Sequence, residues 1–177
     1  MSTAPAKVPI DDAVDALVPS SPRAPLAQPL LDALAIEYRT RYADLIEPGT
    51  DTAAEEVYHR YPADLFEPPH GAFLLLLRNG VPIAGGGFMR HADAGTAEIK
   101  RIWTSADHRR QDLAKRIVLA LEAHAAQLGY ARLYLTTGFR QPEASALYER
   151  LGYTALWDPA DDPAERFFLP FEKVLQA

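Results

Sequence analysis

Arg109-Arg110-Gln111-Asp112-Leu113-Ala114 lies between two stretches of different periodicity. Before it, Glu98-Ile99-Lys100-Arg101-Ile102-Trp103-Thr104 alternates in the manner of a strand. After it, Leu113, Ile117, Leu121, Ala125 and Leu128 recur along one face of an amphipathic helix. A strand, a basic turn and a helix start make an anion cradle, because the amides of the first helical turn have no intrahelical acceptor and the helix dipole is positive there. Arg109, Arg110, Lys115 and Arg116 crowd an end where each cation is disfavoured by about 0.3–1 kcal/mol. A polyphosphate would reverse that sign, whereas a solvated cationic turn would give the same string. The rest of the chain decides between them.

The 177 residues suffice for one domain with a real core. The longest apolar run, Ala72 to Leu77, is far too short to span a bilayer, so no membrane partner is expected. Met1 to Asp12 lacks the apolar centre of a secretory signal and there is no cysteine, which makes a cytoplasmic setting the expectation. A net charge of −6 argues against a nucleic-acid partner, since binding a phosphate backbone needs a basic surface. The cations near residue 110 are a local feature that suits a small polyanion.

Residues 1–25, with prolines at 5, 9, 19, 22 and 25, read as an irregular Ala/Pro-rich arm holding at most a short strand at Lys7–Ile10. Leu31, Leu34, Tyr38, Tyr42 and Leu45 mark a helix that Pro48-Gly49 terminates, and a second short helix covers Asp51 to Arg60 with Asp51 or Thr52 as N-cap. Asn79-Gly80, a type I′ pair, joins strands Ala72–Arg78 and Val81–Arg90. Gly85-Gly86-Gly87 inside the second strand signals a bulge or a close approach by a helix or a ligand. Ile99 and Ile102 are three apart, so a one-residue bulge near Lys100 or Arg101 is needed to put them on one face. Strand Arg132–Thr137 after the helix gives a parallel crossover. A last helix starts at Gln141-Pro142 and stops at Gly152, and Tyr153–Trp157 and Arg166–Val174 are closing strands flanking an acidic loop.

Two motifs then carry a resemblance. Arg109 to Ala114 resembles the pyrophosphate-binding signature of the GNAT acetyltransferase superfamily, Q/R-x-x-G-x-G/A, and Ala144-Ser145-Ala146-Leu147-Tyr148-Glu149-Arg150-Leu151-Gly152-Tyr153 resembles its second signature, A-x-x-L-Y-E-R-x-G-F/Y. Order and spacing agree from about Leu30 to Leu175, and Asp112 departs from the pattern where glycine is usual. The resemblance implies an α/β (α+β) fold: a mixed, mostly antiparallel, twisted sheet of six to seven strands, helices on both faces and a splay between the fourth and fifth strands. Residues 26–177 would be a single acetyltransferase domain.

What the resemblance implies chemically is acetyl-CoA-dependent transfer to a primary amine of a small molecule or peptide, by direct attack on the thioester, with no metal. The amides of Gln111, Asp112, Leu113 and Ala114 and the side chains of Arg109 or Arg110 would hold the diphosphate. Ile102, Trp103 and Thr104 would pair with the pantetheine arm, and the Ile102 N–H would face the developing oxyanion. Glu98 is the general-base candidate, with an ion pair to Lys100 or Arg101 as the other reading. His91 is a weaker base candidate and His124 has no expected role. Tyr148 is the general acid, or a core aromatic, or both. Gln141 stands where an asparagine contacting the cofactor is common. The acceptor would enter beside Glu37, Tyr38, Arg41 and the loop Tyr61–His70, Arg41 serving an acceptor carboxylate or a surface salt bridge. A homodimer through the closing strands is a further implication. The alternative is a catalytically degenerate module that binds a CoA ester or another anion, with Asp112 weakening the diphosphate site either by repulsion or not at all if it caps the helix.

Overall fold

Asn79 and Gly80 adopt φ of +50° and +80°, as a type I′ turn requires, and set Arg78 opposite Val81 in the hairpin of β2 (Ala72–Arg78) and β3 (Val81–Arg90). The computed structural model describes residues 14–46, 49–50, 52, 55–158 and 160–176. β4 (Thr96–Thr104) adds to β3 with the bulge that its isoleucines demanded: Gly85 faces Trp103 and Gly87 faces Lys100, two residues against three. Arg101 absorbs the difference at φ +61°. Ile99 and Ile102 consequently share one core, while Trp103 enters the other.

α2 (Leu113–Gln127) carries the chain over that first core, returning it to β5 (Arg132–Gly138) parallel to β4. Leu113, Ile117, Val118 and Leu121 are each no more than 2% exposed, and burying such a side chain contributes about 1.5–3 kcal/mol. α3 (Pro142–Arg150), β6 (Thr154–Ala155), the short α4 (Pro163–Arg166) and β7 (Phe168–Val174) complete that side. The sheet runs β1-β2-β3-β4-β5-β7-β6, antiparallel except for β4 and β5. α1 (Gln28–Arg41), with Leu30, Leu31 and Leu34, packs together with Val57 and Phe66 against Phe73, Leu75 and Trp103 on the opposite face. Helices thus cover both faces. Among the described residues none is long and apolar enough to cross a membrane.

Three local expectations change. The strand expected at Lys7–Ile10 lies outside the described residues, and β1 is Asp15–Pro19, an edge strand paired from Asp15↔Arg78 to Pro19↔Leu74. α1 stops at Arg41 rather than near Pro48, because Tyr42 leaves helical dihedrals to stack its ring on Phe139 and Phe167; Ala43–Leu45 follows as a 3-10 turn. Within Asp51 to Arg60 the described helical segment is a π-turn, Glu55–His59, and Asp51 lies outside the described residues.

The glycines of β3 are there for close approach. A Cβ on Gly87 would lie 2.6 Å from the Ala72 carbonyl oxygen and 2.8 and 2.9 Å from the rings of Phe73 and Phe66. Gly87→Ala would gain about 0.5–1 kcal/mol of strand propensity but meets overlap worth about 1–3 kcal/mol. The overlap involves backbone, so it wins: the variant is expected to unfold at lower urea than the parent, and an equal or higher midpoint would show that β2 and β3 are not held this closely.

Candidate active site

The β4–β5 ladder runs from Thr96↔Arg132 to Ile99↔Leu135 and stops there. Past that point β5 pairs only with β7, down to Gly138↔Phe168, and β4 pairs only with β3. The bulge is what turns β4 away. It rests on Gly86, where a Cβ would lie 3.2 Å from the Ile102 Cα and 3.3 Å from the Arg101 carbonyl oxygen. The two strands therefore diverge over a cavity of about 850 Å³, within the usual range for a ligand pocket.

One wall is the turn into α2. Arg110 (φ +62°) and Asp112 (φ +56°) are both left-handed, which explains why glycine is the usual residue at the second position; Asp is among the residues that tolerate this region. The Asp112 side chain makes no capping hydrogen bond, so of its two readings the helix cap is not formed. The first amide to bond back is that of Arg116, to the Asp112 carbonyl at 3.0 Å, which leaves the earlier amides of the turn aimed outward without main-chain partners. Arg109, Arg110 and Lys115 line the cavity and form no ion pair among the described residues. Arg116 is spent elsewhere: its Nη1 donates to Asp15 at 2.6 Å. Arg78 grips the same carboxylate with Nε and Nη2 and donates its Nη1 to Gln111 Oε1 at 2.8 Å, tying β1 to the loop.

The other residues read from the sequence fall into three groups. Ile102, Trp103, Thr104, Leu113, Ala114, Gln141 and Tyr148 line the cavity with the basic turn. Thr104 Oγ1 is buried without a hydrogen-bond partner, Tyr148 is buried with its hydroxyl held protonated by desolvation, and Gln141 Oε1 accepts from the Gly138 N–H at 3.1 Å. Gln111 lies at the edge with its side chain on Arg78. Glu98 lies outside the lining, its carboxylate paired with Lys100 at 2.8 Å; Lys100 does line the cavity. His91 stacks on Tyr134 at 4.8 Å and His124 meets Phe88 edge-on, both away from it.

On the acceptor side Glu37, Tyr38 and Arg41 line the cavity as expected, but loop 61–70 does not. Phe66 is fully buried and pulls that loop down onto the sheet, so Thr52, Glu56 and Arg60 stand in its place. Arg41 is engaged by Glu37 at 2.8 Å, by Glu143 and by the Arg140 carbonyl, which makes it a salt-bridge hub. Phe167 and Phe168 close the rim; their aromatic pair before the last strand was the available signal for them.

Comparison with known proteins agrees with this geometry. The model of the acetyltransferase (GNAT) family matches residues 32–153. An IAA acetyltransferase of Azospirillum brasilense is 28% identical over 127 residues, 71% of this chain and 79% of that protein. YsnE of Bacillus subtilis strain 168, described as an uncharacterized N-acetyltransferase, is 37% identical over 76 residues, 42% of this chain and 50% of its own length. The PaiA N-acetyltransferase of Thermoplasma acidophilum, solved in complex with coenzyme A, superposes with a TM-score of 0.69 at 14% identity, covering 91% of this chain and 99% of that one.

The Asp15 knot has a pH signature. Arg78 and Arg116 hold the Asp15 carboxyl far below the ordinary carboxylate range in the folded protein, while in the unfolded chain it titrates near 4. A depressed folded-state value contributes stability above the unfolded value and loses it as pH falls toward the folded one. Asp15→Asn is therefore expected to lower the urea midpoint at pH 7, with a deficit that holds down to about pH 4.5 and shrinks below pH 4. A deficit independent of pH would show that the carboxylate's charge is not what ties β1 down.

Proposed function

This chain belongs to the GNAT acetyltransferase family, and on that premise we propose that it transfers the acetyl group of acetyl-CoA to a primary amine of a small molecule or peptide. The observation that carries the reading is the end of β4–β5 pairing at Ile99 and Leu135, beside a turn whose amides have no main-chain acceptor and whose arginines have no ion-pair partner among the described residues. Such a gap suits an extended arm ending in a thioester, and such a turn suits its diphosphate.

Little else is required of the protein. Holding thioester and amine in line contributes about 7–11 kcal/mol in favourable cases. Arg109, Arg110 and the amides from Gln111 to Ala114 anchor the diphosphate. Trp103 and Thr104 offer the unpaired edge of β4 to the amide groups of the arm, where the partnerless Thr104 hydroxyl gains an acceptor. The Ile102 N–H at the bulge faces the thioester oxygen as it gains charge. Glu98 takes the proton from the incoming ammonium through solvent, since it stands behind Lys100 and not in the cavity. Tyr148, kept neutral by burial, has a proton to give the departing thiolate. Gln141 contributes its amide nitrogen, its oxygen being engaged by Gly138.

Calorimetric titration with acetyl-CoA is expected to show saturable binding; no heat at millimolar ligand would remove the reading. In a thiol-release assay across an amine panel, Tyr148→Phe is expected to lower kcat about a hundredfold with little change in KM for acetyl-CoA. Glu98→Gln should lower kcat/KM for the amine at least tenfold. Full activity in both variants would leave alignment without acid–base help from these residues.

Asp112 supplies a measure of how far the diphosphate site is compromised. Its exposed, uncapped carboxylate stands on the amide turn and repels an anion by about 1 kcal/mol in water at 4–6 Å. Asp112→Gly is expected to tighten binding of coenzyme A about fivefold. A gain of several hundredfold would favour the degenerate module, and a loss would show that the carboxylate serves the site.

A further inference from the structure

On the acceptor side of the cavity the described cations are each held by a carboxylate, with one exception. Glu37 holds Arg41 at 2.8 Å, Glu56 holds Arg60 at 2.7 Å and Glu98 holds Lys100 at 2.8 Å. Arg101 lines the same cavity and has no carboxylate within ion-pair distance among the described residues. It is 9% exposed, and of its five N–H donors a single one finds an acceptor among the described residues, from Nη2 to the Tyr61 carbonyl at 3.1 Å. Its Nε is buried with no partner. The guanidinium lies 4.7 Å from the Phe66 ring centroid, within electrostatic reach of Tyr38 and Glu56, and both of these line the cavity.

A buried, unpaired cation is unfavourable, and a methionine or leucine would fill the same space without that burden. The position adds a second one, since a left-handed backbone suits glycine or asparagine far better than arginine. Burial itself lowers the affinity of this side chain for its proton. An anion arriving in the cavity relieves the first and the third together. On the acetyltransferase reading the diphosphate is not that anion, because its anchors are at the turn into α2, and Arg41, the other arginine suited to a carboxylate, is already bound by two.

We infer that Arg101 receives a carboxylate of the acceptor, so that the acceptor is an amine that also carries a carboxylate, as an amino acid does. The inference rests on the acetyltransferase reading. Arg101 is the neighbour of Ile102, whose N–H faces the thioester, so amine and carboxylate belong to one small molecule with the two groups only a few bonds apart. Guanidinium and carboxylate match as a planar fork, which a lysine does not reproduce.

The test compares free amino acids with their carboxamides, which keep the amine and lose the negative charge. For the parent, kcat/KM is expected to favour the free acid at least a hundredfold across the amino acid that reacts best. In Arg101→Met the ratio of acid to amide should fall at least tenfold, and in Arg101→Lys by less. A merely structural role, holding Tyr61 and Phe66, would lower both substrates alike and leave the ratio unmoved; that result, or no preference in the parent, overturns the inference. A second arm needs no turnover. With coenzyme A present, N-acetylated amino acids are expected to bind the parent at least tenfold more tightly than their carboxamides, by calorimetry, and to lose that margin in Arg101→Met. Equal binding of acid and amide overturns the carboxylate assignment while coenzyme A binding in the same titration still stands for the broader reading.

Discussion

One extra residue in β4 determines where this sheet stops being a sheet. Without Arg101 in the left-handed region, Gly85 and Gly87 would face residues two apart, Ile102 would leave the core it shares with Ile99, and β4 could follow β5 beyond Leu135. With it, the last third of β4 bends off and its outer edge keeps hydrogen-bonding groups that no strand uses. Gly86 is the complement: any Cβ there would press on the bulge from behind. The site is thus an interruption in the most regular part of the fold, flanked on either side by fully buried layers that keep the interruption from closing.

Charge is arranged with similar economy. The chain is acidic as a whole, yet three cations at the α2 turn lack carboxylate partners among the described residues, while Arg116, the residue after Lys115, is neutralised by Asp15. Asp15 sits on the edge strand and its partners sit on β2 and α2, so the same ion cluster that fastens the edge of the sheet also fixes Gln111 and the height of the amide turn. Exposed pairs contribute little individually; here the three-way geometry, with one carboxylate shared by two guanidinium groups, gives them a positional role.

The sequence made visible those features that local chemistry dictates. Asn79-Gly80 admits few backbones, Pro142 opens a helix, and Ile99 with Ile102 calls for a bulge, so hairpin, last helix and bulge could all be placed by residue number, while the splay came from the family resemblance. The paired motifs located one part of the cavity lining, including Tyr148 and the turn around Asp112. What stayed hidden depends on distant partners. β1 is five residues with a proline at its end, and only its register against β2 and the Asp15 contacts make it a strand. Glu98 and Lys100 share a face on any strand, but that the ammonium and not the carboxylate lines the cavity, with its Nζ 4.8 Å from the Tyr61 ring centroid, depends on a residue thirty-nine positions away. Arg101, as a charged residue in an alternating run, reads as solvent-facing; its burial follows from the bulge and from Phe66, thirty-five positions earlier.

Strain is distributed in a way that packing does not explain. Five non-glycine residues among those described have positive φ: Asn79, Arg101, Arg110, Asp112 and Phe167. Asn79 belongs to a turn that calls for it. The other four line the cavity, and Arg101 and Phe167 are the long or bulky kinds of side chain for which this conformation is most unfavourable. At about 1–3 kcal/mol each, they amount to a substantial part of the 5–15 kcal/mol by which a domain is typically stable. A fold under no functional demand would place glycine or asparagine at such positions. Two of these residues shape the amide turn, one makes the bulge and one turns Phe168 onto the rim, so the strain is held where the diphosphate, the thioester and the acceptor would meet, and the two cores on either side of the sheet supply the stability that sustains it.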